Sequence, residues 1–374
     1  MLLTGAGLFG RTLQNLKNLD PGFLREGVLL ADIDGRRAGY RDAALMVFYK
    51  ELLDQIAHLP GVSSASLSIT TPLGDLSLSN DITLKGPGGQ EKANPRFNLI
   101  SPDYFETMRM PLVQGRGFTG QDDNRAPKVA IANEAFVRRY FPGERALGQH
   151  ISTGADEIEI IGVVKDTIAD SLRQAPLPAI YFPYFQRGPQ PFNNTLAFNN
   201  TMEVRAAGSL SQISTAIRNE LQSKLRTAVE VRSLTAQVER TLVQERLMAT
   251  LAAAFGGLAL TLAGVGLYGL LAYSVAGRTR ELGIRVALGA ERRRILWMVA
   301  SDGFRLLITG IACGLAAAWA ASRLISSMLF GVTATDPFTI AAAAAVLLLA
   351  GLAAGFLPAR RAATVDPMVA LRVE

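Results

Sequence analysis

The sequence predicts two joined parts. One is a membrane α-helical part with three full spans and a shortened N-terminal helix. The other is a large extracytoplasmic α+β part. Three observations predict this. Of the 374 residues, 49% are apolar and only 19% are charged, against soluble averages of roughly 45–50% and 25%. The mean hydropathy is +0.22, and most of the apolar excess lies after Leu247. The arginines cluster between apolar blocks, as they do at membrane flanks.

The spans come first. Leu247–Gly277, Leu306–Ser322 and Pro337–Ala359 carry no charged residue, and the middle run extends backward past Asp302. A bilayer core needs about 20 apolar helical residues, so helices are predicted over about 247–277, 295–322 and 337–358. The loop after the first carries Arg278, Arg280, Arg285 and Arg292–Arg294, and the tail carries Arg360, Arg361 and Arg372. The positive-inside rule puts that loop and the tail in the cytoplasm. Residues before Leu247 are then outside, in the periplasm of a bacterial inner-membrane protein. Met1–Gly10 is apolar but reaches only about 15 Å as a helix. We expect it to be the outer half of a membrane helix, with a stalk to residue 19.

Residues 20–245 mix strands and helices. Val28–Ile33 reads as a strand, Arg41–His58 as a helix stopped by Leu59-Pro60-Gly61, and Val62–Ile69 as a half-buried strand. Met202–Arg205, Leu210–Leu225 and Val229–Leu234 repeat the strand–helix–strand pattern. Two such halves predict a ferredoxin-like lobe over about 26–74 and 200–236. Between them, about 75–195 has strand signals at Val129–Ala132, Glu157–Val164 and Ala179–Pro183, and one helix at Asn133–Tyr140. This segment is expected to be a mostly β lobe inserted into the first.

Several function classes are excluded by motif chemistry. None of the seven lysines is followed by Ser or Thr, so there is no P-loop and ATP has no such site on this chain. One cysteine and two histidines cannot build a Cys/His zinc site or a disulfide framework. Cys313 lies in an apolar run and is expected to pack. No H-E-x-x-H or G-x-S-x-G occurs. Asp122, Asp123 and Asn124 read as a solvated turn, with a weak cation site as the alternative. No basic stripe interleaved with aromatics marks a nucleic-acid face. Two G-x-G-x-x-G matches, Gly5/Gly7/Gly10 and Gly264/Gly266/Gly269, lie inside apolar segments rather than after a strand. They read as small residues for close helix packing, as do Gly310/Gly314 and Gly351/Gly355.

The cytoplasmic segment from Arg278 to Ala290 has helical spacing, with Leu282, Ile284, Val286 and Leu288 as its apolar positions and Gly289 as a helix end. A short amphipathic helix between two spans either lies in the headgroup layer or docks in a partner's groove.

This block, "RTRELGIRVALGA", resembles the coupling-helix signature of MacB/FtsX-type ABC permeases. The resemblance runs on through "DPGF" (20–23), "LPGV" (59–62), "ISPDYFETM" (100–108), "NEAFVRRYFPGERALGQHI" (133–151), "IIGVVKD" (160–166) and "IYFPY" (180–184), and through "LFGVTATDPFT" and "LPARRAATVDPMVALRVE". Within that family the pattern is most similar to the C-terminal half of the duplicated orphan permeases, called ADOP. The resemblance implies a periplasmic core with a porter-like lobe and an inserted sabre-like lobe. It also implies an FtsX-like permease domain over 246–374. It implies a cytoplasmic ABC ATPase, which holds the ATP and Mg while this chain holds no cofactor. Carried over residue by residue, the contacts to that ATPase fall on Arg278, Glu281, Gly283, Arg285, Ala287, Leu288 and Gly289. A second permease copy or half, membrane lipids and a periplasmic adaptor complete the implied partners. The function that follows is mechanotransmission from ATP hydrolysis to the periplasmic domain, with a regulatory module that controls a periplasmic partner as the alternative.

Overall fold

The computed structural model describes residues 1–86, 89–153, 156–187, 200–278, 292–325, 328–333 and 335–363. They divide into two compact units. One is Leu19–Thr241; the other joins Met1–Asn18 to the residues from Leu242 onward.

The Leu19–Thr241 unit is built on one mixed sheet. Its strands are β1 (Val28–Ile33), β2 (Val62–Ser68), β3 (Ile82–Gly86), β4 (Gly89–Ala93), β5 (Arg96–Ile100), β6 (Leu112–Gly115), β7 (Val129–Asn133), β8 (His150–Thr153), β9 (Asp156–Val164), β10 (Ala179–Pro183), β11 (Asn200–Ala206) and β12 (Val231–Ser233). They lie in the order β12-β1-β11-β2-β5-β10-β7-β9-β8-β3-β4, with β6 paired to β9. The first four are antiparallel throughout, which is the strand order of a ferredoxin-like βαβ pair. Helices α2 (Asp42–Ala57) and α6 (Leu210–Leu225) close its apolar face. Ile213, Ile217, Leu221 and Leu225 form a buried i, i+4 stripe on α6. They join Leu29, Ala31, Leu67, Met202 and Val204 in one core.

The segment expected to be an inserted, mostly β lobe is rich in strands and is joined to this sheet. A single ladder pair, Ser68↔Ile100, carries it from β2 to β5. Side chains reinforce that narrow joint. Ser101 Oγ accepts from the Leu67 N–H at 2.9 Å. Asn98 Oδ1 accepts from the Thr70 N–H at 3.2 Å, and its Nδ2 donates to the Thr70 carbonyl at 2.7 Å. Beyond the joint, β10 runs parallel to β5 and antiparallel to β7. Short helices α3 (Tyr104–Met108), α4 (Glu134–Tyr140) and α5 (Tyr184–Arg187) lie between the strands. Asn133 organises the middle of the sheet. Its Oδ1 caps α4 through the Phe136 N–H at 2.9 Å and also accepts from the Ala179 N–H at 2.8 Å. Its Nδ2 donates to the Leu177 carbonyl at 2.8 Å. The unit ends with α7 (Leu234–Thr241).

The second unit is helical: α1 (Leu2–Asn18), α8 (Val243–Gly277), α9 (Arg292–Ile325) and α10 (Pro337–Ala363). Three stretches among the described residues are long and apolar enough to cross a membrane: Val243–Gly277, Gly303–Ala321 and Pro337–Phe356. The N-terminal helix runs past the ten apolar residues that suggested it. Thr4, Leu8, Thr12 and Leu16 are buried at i, i+4 spacing, so one packed stripe carries the helix through Arg11 to Asn18.

Candidate transmission site

The predicted coupling segment is framed by two helices of membrane length. At 35 residues, α8 reaches about 52 Å at 1.5 Å per residue, more than the about 30 Å of a bilayer core. It stops at Gly277, where the Arg278 N–H donates to the Val275 carbonyl at 3.2 Å. The chain resumes its described course at Arg292, the start of α9. Of the predicted partner contacts, Arg278 is the described one. Glu281, Gly283, Arg285, Ala287, Leu288 and Gly289 lie outside the described residues.

Among the described residues, the glycines sort into two groups. A methyl group built on Gly351 of α10 would stand 2.7 Å from Leu307 Cδ2 of α9, and one on Gly355 would stand 3.4 Å from Leu271 Cδ1 of α8. Gly264, Gly266, Gly269, Gly310 and Gly314 have nothing within 4 Å of such a methyl. For those five, the described residues of this chain therefore supply no close neighbour. A methyl built on Gly7 would stand 2.6 Å from Thr339 Cγ2, so this member of the first glycine triplet does sit at a close contact. Two close contacts fall outside the glycine patterns: a methyl on Gly303 would stand 3.1 Å from Leu271 Cδ1, and one on Gly256 would stand 3.6 Å from the Leu2 carbonyl. Cys313, expected to pack, is exposed.

The other ends of these helices are clasped by polar groups. Asp336 caps α10: its carboxylate accepts from the Thr339 N–H at 2.8 Å and from Thr339 Oγ1 at 2.6 Å. Pro337 fills the first helical position, where no N–H is needed. Arg11 of α1 pairs with the same carboxylate and stacks over Phe338, 5.5 Å from the ring centre. Asn15 Nδ2 donates to the Gly331 carbonyl at 3.0 Å. The Asp-Pro-x-Thr capping pattern is a sequence signal that would have found half of this clasp. Arg11 gives no local sign of it.

In the Leu19–Thr241 unit, the sheet face opposite α2 and α6 is polar yet covered. Arg205 donates to three backbone carbonyls: Leu24 at 2.9 Å, Glu26 at 3.0 Å and Thr107 at 2.6 Å. Glu203 is fully buried between Ser66 Oγ at 2.8 Å and Ser68 Oγ at 2.5 Å. Burial pushes its carboxyl up to about 7 despite both hydroxyls. Beside this layer a cleft of about 810 Å³ opens between the 69–76 loop and α7. Its floor is the Asp32–Arg232 ion pair, with Thr201 Oγ1 donating to Asp32 at 2.9 Å. Gln237 ties one wall to the other, donating to Thr71 Oγ1 and the Pro72 carbonyl, both at 2.9 Å. Leu73 holds a left-handed backbone, φ +55°, in that wall. Asp122, the candidate cation ligand, instead makes a two-point pair with Arg116, at 2.8 Å for each contact. Those hydrogen bonds hold its carboxyl below the usual range. No cluster able to hold a metal occurs among the described residues.

Two family models match the chain. Residues 4–240, more than half of it, match the MacB-like periplasmic core domain, and residues 253–367 match the FtsX-like permease C-terminal domain. The chain belongs to the MacB/FtsX-like permease family. Three relatives illustrate it. The macrolide export ATP-binding/permease protein MacB of Marinobacter nauticus is 28% identical over 74% of this chain and 43% of its own length. The ABC transporter permease YknZ of Bacillus subtilis is 24% identical over 79% of this chain and 74% of its own. The pyoverdine export ATP-binding/permease protein PvdT of Pseudomonas syringae pv. syringae is 31% identical over 71% of this chain and 40% of its own. The chain thus spans about two fifths of the length of MacB and PvdT. In this MacB/FtsX-like permease, nearly all of the Leu19–Thr241 unit lies within the match to the MacB-like periplasmic core domain, and the three apolar helices overlap the match to the FtsX-like permease domain.

Proposed function

We propose that this permease is a subunit of an ABC transporter in the bacterial inner membrane. A separate cytoplasmic ATPase binds the 278–290 segment, and ATP hydrolysis there moves the periplasmic core domain to export a substrate. The ATP and Mg belong to that partner. One observation carries the reading: the basic 278–291 segment joins the ends of two membrane-length helices, and α8 follows α7 of the core domain with only Leu242 between them. A push on the segment therefore acts on helices that are covalently continuous with the periplasmic unit. The names of MacB and PvdT, which combine ATP binding with a permease, support the same division of labour. A second permease copy or half and a periplasmic adaptor belong to this proposal, as do the porter-like and sabre-like roles of the two parts of the core domain.

Substitution tests it. Arg285→Glu and Leu288→Ala should each weaken ATPase binding by about 30-fold, the size of a 2 kcal/mol interface hot spot. The ATPase rate of the reconstituted complex should then stop responding to this chain. An unchanged rate and affinity in both variants contradicts the assignment.

A further inference from the structure

The proton positions around Glu203 are set by simple counting. Ser68 has one hydroxyl proton, and its Oγ donates to the Thr70 carbonyl at 2.9 Å. The same Oγ lies 2.5 Å from Glu203 Oε1. Ser68 thus has one proton and two acceptors in reach, and it can donate to Thr70 while keeping the bond at Oε1 only when the carboxyl itself carries a proton and donates there. Ser66 Oγ donates to the other oxygen, Oε2, at 2.8 Å. A neutral Glu203 therefore completes a one-way chain from Ser66 through the carboxyl and Ser68 to the Thr70 carbonyl.

Among the described residues, no basic side chain is one of the groups that shift the Glu203 carboxyl. Arg205, two residues along β11, is committed to the Leu24, Glu26 and Thr107 carbonyls. From β1 the ionisable group is the acidic Asp32, and from α3 it is Tyr104, buried beside the carboxyl. Asp103, Glu106 and Arg109 around α3 are exposed, and β2 brings only serines among its polar groups. An isolated buried carboxylate is costly and takes a proton instead.

We propose that Glu203 is a protonation latch for the cleft: its neutral carboxyl keeps Ser68 donating to Thr70, and ionisation turns Ser68 toward the carboxylate and frees the Thr70 carbonyl from it. The proton leaves to solvent, and Thr70 keeps the Asn98 amide as its other donor. What loosens is the 69–74 wall, whose left-handed Leu73 is held by its N–H to the Ala169 carbonyl at 2.6 Å. The switch falls near neutral pH because burial raises the Glu203 carboxyl to about 7. It rests on the geometry of the core domain and stands whether or not the chain transports anything.

Hydrogen exchange by mass spectrometry on the full chain in detergent tests it, with rates corrected for intrinsic pH dependence. Protection of the 69–74 amides should fall about two- to tenfold between about pH 6 and 8.5, the worth of one net hydrogen bond. Glu203→Gln, which keeps a donor toward Ser68 at every pH, should hold protection high and flat. Ser68→Ala, which removes the relay but not the carboxyl, should give low and flat protection. A flat wild-type profile overturns the proposal, and so does a step that persists in either variant.

Discussion

Gly351 of α10 faces Leu307 of α9 with no room for a methyl group: its Cβ would stand 2.7 Å from one leucine methyl and 2.8 Å from the other. Gly351→Ala must therefore turn the flexible end of the leucine aside or spread the helices. Overpacking costs about 1–3 kcal/mol, and a leucine end that can give keeps the loss at about 1 kcal/mol. Leu307→Ala in the same chain should recover most of that loss, because it empties the space the new methyl needs. Thermal unfolding of both variants in one detergent checks the pair, and additive losses would show that the contact is not shared.

Glu203 makes stability depend on pH. Its carboxyl sits at about 7 in the folded chain, against an ordinary value of 4.5. A raised carboxylate favours the folded state below the unfolded value. That contribution is lost as pH rises from about 4.5 to about 7, and it totals about 3 kcal/mol. Glu203→Gln should match wild type near pH 4 and exceed it by about that amount near pH 8. Urea unfolding across this range reads the difference.

Arg205 should not tolerate lysine. Its planar fork reaches three backbone carbonyls at once, and a single ammonium on a flexible stem does not. Each buried carbonyl left unpaired costs about 1–3 kcal/mol. Arg205→Lys should therefore lower the unfolding midpoint of the core domain sharply. Arg145→Lys, at an exposed loop position, should stay within about 0.5 kcal/mol of wild type.

The Asp122 pair predicts an acid effect of opposite sign. Its carboxyl is held below the usual range, first by the Arg116 hydrogen bonds. The pair therefore stabilises above the ordinary aspartate value and is lost as pH falls through the lower, folded value. Asp122→Asn should remove that acid-side loss, and added calcium should not shift the melting temperature. A calcium-dependent shift would restore the cation reading of Asp122–Asn124.

Legibility in the sequence followed period and length. The α6 stripe at Ile213, Ile217, Leu221 and Leu225 and the apolar run of β10 declared themselves, and both elements fall where the pattern places them. The five residues of α3 are too few to show a helical period. Strand β3 alternates over only four residues, Ile82–Lys85, and β4 is polar apart from its glycine and Ala93. The polar face of β11 was harder still. Thr201, Glu203 and Arg205 alternate with Met202 and Val204, the mark of a half-solvated strand, yet all five are buried. Alternation reports which side chains share a face, and says nothing of what covers it. The glycine patterns were legible only in part: Gly351 and Gly355 meet leucines while Gly310 and Gly314 meet nothing within 4 Å, since spacing marks a smooth helix stripe but not the neighbour that fills it.

A subunit of an ABC transporter needs a cytoplasmic ATPase that binds it. The most direct measurement is recovery of the chain from its native membrane in mild detergent, with mass spectrometry of everything bound to it. An ABC ATPase should be recovered in stoichiometric amount with the wild type and lost from Arg285→Glu. Recovery of a periplasmic protein with no ATPase would contradict the transporter role and assign the chain to a regulatory module.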